Sequence, residues 1–168
     1  MLAFCRLASF TRMNVTVALS GDGFDELLAG YDTYSASLAA PQYRRIPGLL
    51  RRGLIQPLVR RLPSSGRKYN LAMVMNRFVA GAEELGLRAH CSWRRIVSRE
   101  LRPLLLTKAY RESSEVDALA DYASAIDDAP DWLTPMDQLL HIDLKFHLSN
   151  DMLVKVDRMS MAHSLEVR

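Results

Sequence analysis

Residues Val15–Tyr31 read VTVALSGDGFDELLAGY. Val15, Val17 and Leu19 alternate with smaller or polar residues, the period-two pattern of a strand buried on at least one side. Ser20-Gly21-Asp22-Gly23 breaks that pattern with two glycines, which tolerate backbone angles that other residues avoid. From Asp25 onward, Leu27, Leu28 and Tyr31, then Tyr34 and Leu38, fall at helical spacing. A strand, a glycine turn and a helix opened by acids suit a nucleotide, because backbone N–H groups in the turn approach phosphate or ribose with no side chain between. The carboxylates of Asp22, Asp25 and Glu26 repel bare phosphate, so the turn suits a magnesium–phosphate complex or an amine-bearing substrate. Acids at a helix N-terminus are also favoured by the macrodipole alone, at about 0.3–1 kcal/mol each. That accounts for Asp25 and Glu26 but not for Asp22, set between two glycines.

The 168 residues fit about one domain, and with 49% apolar residues the chain has enough to bury a core. A net charge of +3 does not by itself imply nucleic acid. The distribution is uneven. Arg44, Arg45, Arg51, Arg52, Arg60, Arg61, Arg67 and Lys68 lie between Pro41 and Lys68 with no acid among them, whereas Asp117, Asp121, Asp127, Asp128 and Asp131 dominate the stretch from Glu112 to Asp137. Without aromatic interleaving, the arginine pairs read as a solvated helical face rather than a nucleic-acid surface. Cys5 and Cys91 lack CxxC or histidine spacing and read as two reduced thiols of a cytoplasmic protein. No run of about eighteen apolar residues occurs, so no membrane span is expected. The opening MLAFCRLASFTRMN lacks a basic start, a sustained apolar core and an AxA-like cleavage site, and reads as an amphipathic helix leading into the strand.

Along the chain, Asp25–Ala40 is expected as one helix stopped near Pro41, followed by short helical pieces over Gln42–Arg61 cut by Pro47, Gly48, Gly53 and Pro57. Pro63-Ser64-Ser65-Gly66 is a loop by composition. Leu71–Leu85 reads as a helix with Met75, Phe78, Val79 and Ala82 on one side, and Trp93–Leu106 as one helix and a turn broken at Pro103. Ser114 opens a helix over Glu115–Asp127. Thr134-Pro135 caps another over Met136–Leu148, and Ser149-Asn150-Asp151 offers a cap for a last helix over Met152–Met161. Trp93, Trp132, Met152, Met159 and Met161 read as packing residues, and Lys155, Asp157 and Arg158 as partners in intrachain charge pairs. His163 reads as packed or capping rather than catalytic. The chain is therefore expected to be mostly α-helical with one clear strand.

With the turn and the last helix both in view, the chain resembles the synthetase domain of glutamine-hydrolysing asparagine synthetases. Leu19-Ser20-Gly21-Asp22-Gly23, Asp25-Glu26-Leu27 and Gly30-Tyr31 are similar to that family's LSGDGGDELFGGY signature. Asp151–Arg168, DMLVKVDRMSMAHSLEVR, is similar to its DxLLVKVDRMSMAHSLEVR segment. The resemblance implies an α/β adenine-nucleotide alpha-hydrolase-like (Rossmann-like) domain, of which residues 1–168 would be an internal part. It also implies a reaction: ATP activates the side-chain carboxylate of aspartate as β-aspartyl-AMP, and ammonia released from glutamine by a separate domain attacks it. By the same resemblance Leu19, Ser20 and Gly21 line the ATP site. Asp22 is catalytic and, with Gly23 and Glu26, borders the substrate; Asp25 is the magnesium carboxylate, and Asp151 is a second catalytic acid. These residue types suit the chemistry, since magnesium offsets the charge crowded at the α-phosphorus and a positioned carboxylate removes a proton from the attacking amine. The implied partners are aspartate and ammonia, with neither nucleic acid nor membrane, and the resemblance leaves room for a homodimer in the parent enzyme.

The chain departs from the pattern at Phe24, where the family has a small residue that leaves the turn open, and at Leu28-Ala29, where it has Phe-Gly. No SGGxDS pyrophosphate loop precedes the turn, and neither the VPFLD segment nor the later catalytic lysine follows Arg168, so the 168 residues alone are expected to be inactive. Two other readings stay open: a related amidoligase such as a β-lactam synthetase or peptide cyclase, and a non-catalytic, truncated helical module.

Overall fold

The computed structural model describes residues 2–63, 70–97, 101–113 and 118–168. They fall into two compact units, Met1–Tyr31 with Asp137–Arg168, and Asp32–Met136, so the second unit is an insertion in the sequence of the first.

In the first unit the N-terminal apolar stripe winds into helix α1 (Leu2–Arg12), as its pattern predicts, with Ala8 buried. Strand β1 is short (Val17–Ala18) and has one parallel neighbour, β2 (Glu166–Val167), with Val17 opposite Glu166 and Ala18 opposite Val167. The expectation of one strand is therefore corrected to two among the described residues, the second supplied by Glu166–Val167. The expected burial of the strand face is corrected as well: Val15 and Val17 are each 44% exposed and Leu19 86%. Two strands of two residues each form too small a ribbon to bury these side chains.

Helix α2 (Phe24–Leu28) is followed by a separate helix, α3 (Asp32–Arg44), where a single helix over Asp25–Ala40 was expected. The break has a local cause. Ala29 adopts the left-handed region at φ 56°, and the N–H groups of Ala29 and Gly30 both turn back to the Asp25 carbonyl, a Schellman-type ending. A β-carbon on Gly30 would meet the Asp25 carboxylate and stand 3.2 Å from the Asp25 Cα, so glycine eases the close return there. Pro41 does not stop α3; it sits in the last turn, where its missing N–H costs a single helical bond.

Three described helical pieces share residues 48–60: α4 (Gly48–Leu50), a π-helical stretch at Arg51–Ile55, and α5 (Gln56–Arg60), so Gly53 and Pro57 do not cut the run as expected. Helix α6 (Leu71–Ala82) is capped by Asn70, whose side chain accepts from the Ala72 N–H at 2.9 Å. It packs on α7 (Gly86–Arg94) and α3 around buried Ala40, Ala82, Ala89 and Trp93. Phe78 stacks on Trp93 with ring centroids 6.1 Å apart, Tyr43 meets Phe78 edge-on, and the Trp93 indole donates to the Phe78 carbonyl at 3.2 Å. Gly81 lies directly beneath the Trp93 indole, where any β-carbon would collide with the ring. Trp93 thus ends α7 rather than opening the next helix.

The arginines expected on a solvated face are partly absorbed into this unit. Arg44 donates to the Ala82 and Glu84 carbonyls at 3.1 and 3.0 Å and closes the C-terminal end of α6, while Arg51 pairs with Glu83 at 2.7 Å. Burial first, then the Glu83 carboxylate, raises the Tyr43 phenol above its ordinary value.

Pro103 lies inside the short α8 (Arg102–Leu105), which α9 (Lys108–Ser113) follows. Helix α10 is described over Ala118–Asp127; its expected opening at Ser114-Glu115, like Ser64-Ser65-Gly66 of the expected loop, lies outside the described residues. Trp132 is 78% exposed, which corrects its reading as a packing residue.

The cap expected at Ser149-Asn150-Asp151 is not one. Helix α11 (Pro135–Ile142), a π-helical stretch (Asp143–Met152) and α12 (Leu153–Met161) follow without a break. Ser149 turns its hydroxyl back to the Leu144 and Lys145 carbonyls, at 2.6 and 2.8 Å, so it continues the helix instead of starting one. Lys155 rests its ammonium against the Met152 sulfur at 3.1 Å and pairs with no acid among the described residues, and Met161 is exposed rather than packed.

Two outcomes follow from this packing. Trp93→Ala should cost about 3–5 kcal/mol of stability in urea unfolding, since the cavity it leaves is walled by Gly81 and Phe78. Ala29→Gly should add about 0.5–1 kcal/mol by relieving the left-handed alanine, and its denaturation midpoint should rise accordingly.

Candidate functional site

The turn between β1 and α2 is built by backbone first. Beyond the strand pair, the Ser20 N–H donates to the Arg168 carbonyl at 2.8 Å, the Arg168 N–H to the Ala18 carbonyl at 3.0 Å and the Glu166 N–H to the Thr16 carbonyl at 3.0 Å. Residues at opposite ends of the sequence, the glycine turn and the closing EVR, therefore form one edge. Gly23 takes φ 98°, a left-handed angle that lets α2 begin at Phe24 while its own carbonyl accepts from the Leu27 N–H. Its open side faces Leu148 of the π-helical stretch; a β-carbon there would stand 3.2 Å from a Leu148 methyl. The turn is thus seated on that helix.

Within the turn Ser20 donates its hydroxyl to Asp22 Oδ2 at 2.8 Å and accepts from the Asp22 N–H at 3.3 Å, which pins the Asp22 carboxylate over the turn in a half-exposed position. Gly21 has nothing within 4 Å of where a β-carbon would sit, and Leu19 and Ser20 are exposed, so the backbone from 19 to 21 is open to a ligand. Asp25 is exposed on the first turn of α2. Glu26 is turned the other way: it is 1% exposed, and its Oε1 accepts from the Tyr31 hydroxyl at 2.7 Å. Phe24 projects outward at 60% exposed and does not fill the turn.

Leu19, Ser20, Gly21, Asp22, Gly23 and Asp25 are therefore gathered on one open edge, with Glu26 beneath it. Asp151 stands exposed at the end of the π-helical stretch, and among the described residues no hydrogen bond joins it to the turn. Tyr31 was legible as part of a motif but not as the partner of Glu26; five residues apart, the two do not share a helix face, and only the left-handed Ala29 folds the tyrosine back. His147, whose ring meets Tyr31 edge-on at 6.2 Å, carried no signal in the sequence at all.

Among the described residues no group of three or more His, Cys, Asp and Glu side chains is placed to hold a metal by itself. The donor set nevertheless suits magnesium carried by a nucleotide, which takes one or two protein carboxylates and fills its remaining positions with phosphate oxygens and water. No helix among the described residues is long and apolar enough to cross a membrane.

Compared with protein families, residues 1–168 match Asparagine synthase. Among curated proteins the chain is 27% identical over 167 residues to asparagine synthetase (glutamine-hydrolysing) 1 of Bacillus subtilis, a match covering 96% of this chain and 24% of the relative. It is 32% identical over 163 residues to proteins of Mycobacterium bovis and Mycobacterium tuberculosis named for asparagine synthetase (glutamine-hydrolysing), covering 96% of this chain and 23% of each relative. The chain thus spans about a quarter of the length of the curated relatives it matches. No solved structure matches it. Matched along its whole length, and with the end of its second motif paired beside the first, the chain belongs to the asparagine synthase family.

Proposed function

We propose that this chain forms one wall of the synthetase site of an enzyme that amidates aspartate with ATP, by way of β-aspartyl-AMP, within an adenine-nucleotide alpha-hydrolase-like (Rossmann-like) fold. The observation that carries the reading is the Ser20–Arg168 hydrogen bond, which draws the two family motifs into one edge around the Asp22 turn. Exposed Leu19, Ser20 and Gly21 take the adenosine side of ATP, with Gly21 offering a peptide group that no side chain covers.

Magnesium, when bound, offsets the negative charge crowded between the aspartate carboxylate and the α-phosphorus. Asp25 is the carboxylate free to meet it. Asp22, already accepting from Ser20, is held where it takes a proton from ammonia as the amine attacks the activated carbonyl. Gly23 and Glu26 complete the substrate side, Glu26 from beneath: its buried carboxylate and Tyr31 set the return of the chain behind the turn. Asp151 supplies a second acid from the end of the π-helical stretch. Aspartate, ATP and ammonia, the last released from glutamine elsewhere in the parent enzyme, are the substrates of this reading.

The test is a transplant. With these 168 residues in place of the matching ones in the Bacillus subtilis relative, asparagine should form from aspartate, ATP, magnesium and ammonium, and Asp22→Asn should lower kcat/KM by about 10²–10⁴-fold. A folded chimera that ignores aspartate but amidates another acid would favour a different amidoligase, and one inert toward every acid would favour a non-catalytic module. The 168 residues alone should form no asparagine. Tyr31→Phe should cost about 1–3 kcal/mol in urea unfolding of the chain, since it strips the Tyr31 hydroxyl from a carboxylate 1% exposed.

A further inference from the structure

Cys5 lies on α1 and His163 on the turn after α12, 158 residues later, yet Cys5 Sγ and His163 Nε2 stand 3.1 Å apart. Helix α1, which carries Cys5, packs against α12, whose end leads into the turn that carries His163. The backbone that carries the ring is fixed by the turn: the His163 N–H and the Leu165 N–H both donate to the Ser160 carbonyl, Leu165 is buried, and Ser164 between them adopts φ 56°. Among the described residues the Cys5 sulfur is the only hydrogen-bond partner of the His163 side chain. Both residues are half-buried, neither sealed in the core nor fully in solvent. Neither residue belongs to the Ser20–Asp25 edge.

We propose that Cys5 and His163 form a nucleophilic thiol site, with His163 as the general base, that takes small soft electrophiles. A thiol already hydrogen-bonded to an imidazole gives up its proton as it attacks, without waiting for ionisation in bulk water. With iodoacetamide, the Cys5 sulfur forms a bond to the methylene carbon, the carbon–iodine bond breaks, iodide leaves with its electron pair, and the thiol proton ends on His163 Nε2. A group added at the sulfur displaces the imidazole and so breaks the contact between α1 and the turn that leads into β2. The second cysteine, Cys91 on α7, serves as an internal reference in the same molecule.

Timed alkylation of the whole chain with iodoacetamide, read peptide by peptide by mass spectrometry, tests the site. Cys5 should react at least about tenfold faster in the native protein than in His163→Gln, while the Cys91 rate stays the same. Equal Cys5 rates in the two proteins would overturn the proposal. Should His163→Gln fail to fold, the wild-type chain decides alone. Cys5 should react faster in the native state than in urea, because a part-buried thiol with no base beside it is slowed by folding; a native rate equal to or below the unfolded one also overturns the proposal.

Discussion

The parallel pairing of Val17–Ala18 with Glu166–Val167, extended by the Ser20–Arg168 bond, is the constraint on which the first unit depends. Each of these hydrogen bonds contributes only about 0.5–1.5 kcal/mol net, so so short a ribbon does not stand by itself. It is held because α1 and α12 pack together beside it and bury Ala8, Val156 and Leu165. In return the ribbon dictates where the chain emerges at Ser20, and hence where the glycine turn lies. A parallel pair needs a crossover connection, and here the crossover contains a whole second unit.

Three left-handed or close-approach positions shape the site edge. Gly23 bends the turn into α2, Ala29 ends α2 one short helix later, and Gly30 lets the chain return over Asp25. The consequence is a division of labour among neighbouring acids. Asp25 faces solvent at the start of α2, where the macrodipole favours a negative charge, and Glu26, one residue later, points into the protein toward Tyr31. Two acids adjacent in sequence are thereby given different surroundings, one suited to a cation and one to holding the backbone. Ala29 holds a left-handed angle that costs an L-residue about 1–2 kcal/mol, of which glycine would relieve only the part its own chain entropy does not take back.

The second unit is organised by an aromatic ladder rather than by a large aliphatic core. Tyr43 meets Phe78 edge-on and Phe78 stacks on Trp93, alanines fill the spaces between helices, and Gly81 admits the indole. Arg44 and Arg51, which composition alone places on a wet surface, instead terminate α6 and pair with Glu83. A long basic side chain reaches unsatisfied carbonyls some distance from its own backbone, so its sign and spacing do not reveal whether it is solvated.

Periodicity and motif order were enough to determine the N-terminal helix, the acidic turn after the first strand, the apolar face of α6 and membership of the asparagine synthase family, because each rests on residues near one another in the chain or on ordered strings of them. The identity of the turn acids was legible for the same reason. What tertiary structure alone decided depends on contacts across long separations or on single backbone angles. The second strand was invisible because two residues carry no periodicity until a partner is present. The break at Ala29 was hidden because helical spacing continues through Leu28 and Tyr31 while one φ angle reverses the chain. The fusion of the last helices escaped notice because Ser149 bonds backward as readily as it caps. The inward turn of Glu26 toward Tyr31 rests on the single left-handed angle at Ala29, and the meeting of Cys5 with His163 joins residues 158 apart in the unit where the strand pair brings the two ends of the sequence together.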